Sequence, residues 1–212
     1  MQLLTSKNPK IEKSKNKGYL TWGMHLLPGK TCAKASVGCL KSCLNLSGRG
    51  QMRATQLARA KKTALFWQDP LSFVNQLKSE IKIAIRRSQK RDLIPVFRLN
   101  LTSDIPWECF GVPQEFPDIQ FMDYSKFHDR HPPDNYHLTF SKSEANDVLA
   151  KQWLAQGGNV AVVFNDLPSE YWGYKVVSGD EDDLRFLDPD NVIVGLKAKG
   201  RARKDHTGFV VR

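Results

Sequence analysis

Apolar residues recur with a helical period over 70–90. Val74, Leu77, Ile81 and Ile85 share one face beside Phe73 and Ala84, while Lys82, Arg86 and Lys90 point elsewhere. A helix-forming stretch at 51–68 precedes it, and Asp69-Pro70 ends that helix and opens the next with proline in its first turn. Downstream the pattern changes to short β-branched and aromatic runs at 94–99, 119–124, 136–140, 160–164, 174–177 and 192–196, which predict six strands. Between two of them, residues 143–156 read as a helix. Ser143 stands as its cap, Glu144 and Asp147 suit its positive end, and Gly157-Gly158 stop it, so 136–164 reads as a βαβ unit.

Strands alternating with helices predict an α/β protein with a parallel sheet, open or closed into an incomplete (β/α) barrel, with its site at the carboxyl ends of the strands. The 212 residues suit one core. The expected organisation is a basic flexible or extended arm over 1–17 and a single α/β domain over 18–212 that carries a cysteine loop at 28–45. No apolar run approaches the roughly 20 residues of a membrane-spanning helix, and the first residues turn polar too early for a secretory segment. A soluble protein kept in the cytoplasm is the expectation, with no membrane partner.

Charge adds a partner. Lys and Arg outnumber Asp and Glu by 32 to 22, a net charge of +10. The cations gather at 7–17, 49–62, 82–91 and 197–204, and much of the acidity at 180–190. A chain of this sign favours a polyanion. Each stretch taken singly also reads as a solvated helix face.

The chemistry centres on Cys32, Cys39 and Cys43, spaced C-x6-C-x3-C, with Gly29, Gly38 and small side chains in the gaps. Thiolates bind soft iron, and a cluster needs a loop that can bend around it. Three nearby thiols leave one iron of a 4Fe-4S cluster without a local thiolate. Cys109, His25 or a carboxylate are the candidates for a fourth ligand; failing these, the open iron would bind a small molecule. Structural zinc completed by Cys109 or His25 is an alternative, as are unligated thiols; a chain this long has little need of disulfides. Gly29-Lys30-Thr31 fails as a phosphate loop because Gly23 stands one residue too far away.

Polar groups also collect where strands end. Arg98, Asn100, Asp104 and Glu108 follow one predicted strand, and Ser141 and Lys142 another, which suits a ligand pocket. The bland reading is a capping Asp104 and an Arg98 paired with a carboxylate. Lys197, Lys199, Arg201, Arg203 and Lys204, with Gly195 and Gly200, resemble a phosphate-gripping loop, to which Lys30, Arg49 and Arg53 add candidate contacts. Phe186 and Phe209 are the aromatics nearest that loop for stacking on bases.

Pro28-Gly29-Lys30-Thr31-Cys32 with its two following cysteines, Arg98 and Ser103-Asp104-Ile105-Pro106-Trp107, and Asp183-Leu184-Arg185-Phe186-Leu187-Asp188-Pro189 ahead of 194–200 together resemble the phage and mobile-element family called gene product eighty-eight. The resemblance spans most of the chain from Tyr19 onward. It implies a barrel-like α/β fold similar to radical S-adenosylmethionine enzymes, an iron–sulfur cluster on the cysteine loop, and a setting in phage or plasmid genomes. The thiol spacing departs from the C-x3-C-x2-C of those enzymes, and the aromatic usual before the last cysteine is missing.

The expectation is therefore an iron–sulfur protein that binds nucleic acid, single-stranded DNA first, in replication or genome handling. The alternatives are a radical enzyme using S-adenosylmethionine at the open iron, and a zinc-stabilised interaction module.

Overall fold

The computed structural model describes residues 1–7 and 13–212. Its central strands pair in chain order: β2 (Tyr19–Met24), β3 (Ile94–Arg98), β4 (Gln120–Ser125), β5 (Tyr136–Ser141) and β6 (Val160–Phe164) lie parallel, each beside the one before. The sheet then continues through β9 (Ile193–Lys197) and β8 (Tyr174–Ser178), also parallel. Short antiparallel strands finish both edges, β1 (Leu4–Thr5) on β2 and β7 (Glu170–Tyr171) on β8. The result is a ten-stranded, mostly parallel α/β sheet that does not close into a barrel.

Side chains alternate across this sheet, as strand geometry requires. One face presents Leu20, Trp22, Phe97, Phe121, Tyr136 and Leu138 to helices α2 (Arg53–Gln68) and α3 (Pro70–Gln89). The periodic positions of α3 sit in that core: Val74, Leu77 and Ile81 are buried, and Ile85 packs at its margin. Further along the same face, Phe140, Val160, Val162, Phe164 and Ile193 are covered by Ala150 and Leu154 of α4 (Asp147–Ala155). Among the described residues no helix is long and apolar enough to cross a membrane.

On the opposite face, Val96 and Met122 pack under Leu184. The acidic segment runs here: Asp183 pairs with Arg98 at 2.8 Å, Asp182 with Lys17 at 2.8 Å, and Arg185 with Asp182 and Asp188 at 3.3 and 3.0 Å.

Of the segment expected as an arm, residues 8–12 lie outside the described residues. On one side of them Leu3 and Leu4 are buried in the main core, with Glu80 accepting both backbone N–H groups at 2.8–2.9 Å. On the other side Ser14–Lys17 forms a 3-10 turn whose buried Ser14 donates to the Tyr19 carbonyl at 3.2 Å.

Besides the reversal at β9 and β8, the pairing of β5 with β6 is interrupted. β5 and β6 share only the pairs Phe140–Val160 and Ser141–Ala161, and the second half of β6 pairs instead with β10 (Val210–Val211) through Val163 and Phe164. β5 and β6 therefore splay at their carboxyl ends, and β10 fills the gap. A crevice at the carboxyl ends of parallel strands is where open α/β sheets place ligands.

Candidate metal centre and flanking basic surface

The cysteine segment lies over those carboxyl ends. Thr31 anchors its start, donating its hydroxyl to the Leu27 carbonyl at 2.7 Å while its own carbonyl accepts from Asp104 N at 2.8 Å. Cys32 follows, its thiol directed at the Thr102 carbonyl 3.7 Å away, just beyond β3. Residues 37–41 form the short helix α1 (Val37–Lys41), which begins where Ser36 Oγ accepts from Cys39 N.

α1 is clamped from outside its own segment. Glu144 accepts from Gly38 N at 2.6 Å and from Ser36 Oγ at 2.7 Å. Gly38 permits the approach: a Cβ there would collide with Thr207 Oγ1 and lie 2.7 Å from Phe209 Cβ. Cys39 packs against the small cluster of Ala198, Ala202, Phe209 and Val210, so the helix rests by the chain entering β10 where β5 and β6 part. Cys43 then caps the 3-10 turn Leu44–Leu46, beside the buried Asn45, which accepts from Arg59.

All four cysteines are free thiols; Cys32, Cys39 and Cys43 are half-buried and Cys109 is exposed. Burial pushes the Cys32 and Cys43 thiols up. Arg59 and Lys126 act oppositely on Cys43. The three thiols are thus distributed along one loop, with the two cations beside the last of them. Among the described residues no three His, Cys, Asp or Glu side chains converge tightly enough to hold one metal ion.

Of the candidates for a fourth ligand, His25 is half-buried, with Nδ1 3.3 Å from Thr102 Oγ1, the residue whose carbonyl meets Cys32. Burial lowers its pKa to about 3, helped by Arg59, Arg98 and Lys62, so it is a neutral imidazole at pH 7. Cys109 sits on the 3-10 turn Trp107–Phe110, whose Trp107 packs on Phe66 and Phe73 below the sheet.

The five polar residues expected to line one pocket are divided. Arg98 points to the face covered by Asp183, its guanidinium 4.6 Å above the Tyr124 ring. Asn100 is a buried hub: its N and Nδ2 donate to Asp123, and its Oδ1 accepts from Ser103 Oγ, Ile105 N and Trp107 Nε1. Glu108 forms a two-point ion pair with Arg130 at 2.6 and 2.7 Å. Lys142 is buried and bridges Asp147 at 3.2 Å and the Gly208 carbonyl at 3.5 Å, tying β5 to the chain entering β10. Only Asp104 adjoins the cysteine loop, accepting from Ser125 Oγ and Lys126 N at 2.8 Å each, and burial raises its pKa. A cleft of about 460 Å³ between Gln120, Pro133, Tyr136, His137 and Phe186 opens at the amino ends of β4 and β5 instead.

The sequence reading passed over Lys126, Arg59 and Glu144 in this setting. Lys126 stands two residues past the predicted strand over 119–124, and its Nζ donates to Ser141 Oγ at 2.8 Å, so the rule that sites gather at strand ends would have found it.

The basic stretches do come together. Gly200, with φ +55°, lies so close to Ser47 that a Cβ would overlap its hydroxyl. The exposed Arg201, Arg203 and Lys204 of the 3-10 turn Gly200–Lys204 thus stand against the turn Gly48–Gln51, which bears exposed Arg49 and leads to exposed Arg53. Lys30 is exposed at the start of the cysteine loop. Lys199 is already paired with Asp180 at 2.6 Å, and Lys197 lies 3.5 Å from Asp166. Phe209 is buried in the cluster against which Cys39 packs, and Phe186 packs edge-on against Tyr19.

No curated protein and no solved structure matches this chain. A family model does, across residues 2–212, and by that match the chain belongs to the family described as Gene product 88.

Proposed function

We propose that this chain is an iron–sulfur protein of phage or plasmid origin, working in the host cytoplasm, which binds nucleic acid, single-stranded DNA first, in replication or genome handling. One observation carries the reading: Gly200 on Ser47 joins two basic stretches, about 150 residues apart in the chain, into one surface directly downstream of Cys43. Clustered cations of this kind bind phosphates by releasing counterions.

Cys32, Cys39 and Cys43 would hold the cluster, with His25 as a neutral donor nearby. Bound there, the cluster would tie the cysteine loop to β10 and order the basic turns beside it. A cluster offers each thiolate its own iron, which suits thiols distributed along a loop better than one zinc ion drawing every sulfur to about 2.3 Å.

A radical enzyme binding S-adenosylmethionine is the second reading. It is supported by the position of the thiols at the carboxyl ends of the strands, beside Asp104, Ser125 and Lys126.

Iron and sulfide analysis of anaerobically purified protein, followed by gel mobility of single-stranded oligonucleotides at low salt, tests the first reading. Stoichiometric iron and sulfide with retarded oligonucleotide is the expected result. Unchanged mobility with cluster-loaded protein rejects nucleic-acid binding, and zinc in place of iron rejects the cluster. Binding and reductive cleavage of S-adenosylmethionine by the reduced protein would establish the second reading.

A further inference from the structure

From residue 13 to residue 68 the chain contains no Asp or Glu but eight Lys and three Arg, eleven cations in all. Apolar side chains stand exposed on this positive ground. Leu40 is 40% exposed, Leu44 61%, Met52 59% and Leu57 52%.

Local structure explains why they face outward. α1 spends its inward positions on Gly38, which meets Thr207 and Phe209, and Cys39, which packs on the cluster around Phe209 and Val210, while Leu40 is left exposed. Leu44 opens a turn whose inner residue, Asn45, is held by Arg59 and by Gln56, which donates to the Asn45 carbonyl at 3.0 Å. The next turn folds back so closely that a Cβ on Gly50 would lie 2.9 Å from the Leu44 carbonyl, which sets Met52 and the first turns of α2 beside it. Leu44 and Met52 thus stand at the two ends of that fold-back with Arg49 between them in the chain, Leu57 follows Arg53 by one helical turn, and Leu40 precedes Leu44 by four residues.

Apolar side chains left in water at this density mark a contact surface. Protein partners usually meet rims of mixed sign, whereas the segment that carries this surface bears only positive charge, and the carboxylate that reaches it from elsewhere, Glu144, is engaged with Gly38 N and Ser36 Oγ. The occupant it fits has continuous negative charge and flat apolar groups between the charges. In a duplex those groups are stacked away; in a single strand they are open to contact.

Resting on the nucleic-acid reading above, we infer that Leu40, Leu44, Met52 and Leu57 form a platform for the unstacked bases of a single strand whose phosphates are held by Arg49, Arg53 and the turn Gly200–Lys204. Branched and thioether side chains pack on any base face, so the platform is indifferent to sequence.

Three probes separate the contributions in fluorescence-anisotropy titrations of cluster-loaded protein at one salt concentration: a thymidine 20-mer, an abasic strand of equal length, and polyglutamate. The thymidine strand is expected to bind about tenfold tighter than the abasic one. Leu44→Ser with Met52→Ser should remove most of that ratio with iron content and salt dependence unchanged, while Arg49→Ala with Arg53→Ala should weaken both strands alike. Equal affinity for the two strands, an unchanged ratio in the Leu44/Met52 variant, or polyglutamate binding as tight as thymidine each overturns the platform. Failure of every oligonucleotide to bind removes the nucleic-acid reading itself, and the platform with it.

Discussion

At the scale of single residues, the site depends on a buried carboxylate that the sequence reading left unremarked. Asp123 accepts from Asn100 N at 2.9 Å, from Asn100 Nδ2 at 3.1 Å and from Tyr136 OH at 2.7 Å, and Asn100 in turn holds the loop whose Thr102 carbonyl meets Cys32. Burial raises the Asp123 pKa to about 7, against the pull of Arg98, Tyr136, Asn100 and Arg130. Between pH 4 and that value the folded chain keeps a proton that the unfolded chain has released, so this residue's contribution to stability falls as pH rises through the window. Urea denaturation of wild type and Asp123→Asn at pH 4.5, 6 and 8 is expected to show wild type losing ground to the variant across that range, by a few kcal/mol at most. A difference that does not change with pH would mean Asp123 stays ionised. Asn100 and Asp104 were visible beforehand as polar groups at a strand end, but their roles were not. What each bonds to is set by Asp123 and Ser125 on the neighbouring strand, and a spacing of 20 or more residues leaves no pattern in the chain.

At the scale of elements, legibility followed length with one exception. The six expected strands and the two long helices appeared because period and burial reinforce each other over five residues or more, but β2, six residues long and almost wholly buried, was not among the expected strands: Thr21 and Gly23 interrupt its apolar run. β1, β7 and β10 are two residues each and have no period to read, so the partner that splits β5 from β6 could not be anticipated. The crossover helix starts later than its sequence implied: Asn146 is the N-cap, its Oδ1 accepting from Ser143 N at 2.6 Å. That shift leaves Glu144 outside the helix, where it can reach α1. A five-residue helix is too short to stand on its own backbone bonds, so its order rests on Glu144, Ser36 and the packing of Gly38. Glu144→Ala strips the acceptor from Gly38 N and Ser36 Oγ, a loss of about 1–3 kcal/mol of local stability. The metal-free variant should react with a disulfide reagent at Cys39 about tenfold or more faster than wild type, while Cys109, exposed already, keeps its rate. Unchanged Cys39 reactivity would show that β10 alone holds the helix.

At the scale of the whole molecule, the net charge of +10 is not spread evenly, because the acidic segment is committed elsewhere. Asp182 and Asp183 neutralise Lys17 and Arg98 on one face of the sheet, and Asp180 engages Lys199 through its side chain and Lys197 through its backbone N–H at 2.9 Å. Positive charge is therefore left over on the carboxyl-end surface around the cysteine loop, where Arg49, Arg53, Arg201 and Lys204 are exposed. If phosphates bind there, the salt dependence of affinity counts those cations: each phosphate contact adds about 0.7 to the slope of log affinity against log salt for a single strand. Titrations between 50 and 200 mM salt should show Arg201→Ala and Lys204→Ala each lowering the slope by about that much. Lys199→Ala should change it less, because Asp180 already occupies that ammonium, and Asp180→Asn should strengthen binding by releasing it. A slope that Arg201→Ala and Lys204→Ala leave intact would place the phosphates away from the turn Gly200–Lys204, and the contact between Gly200 and Ser47 would then serve only to brace the cysteine loop.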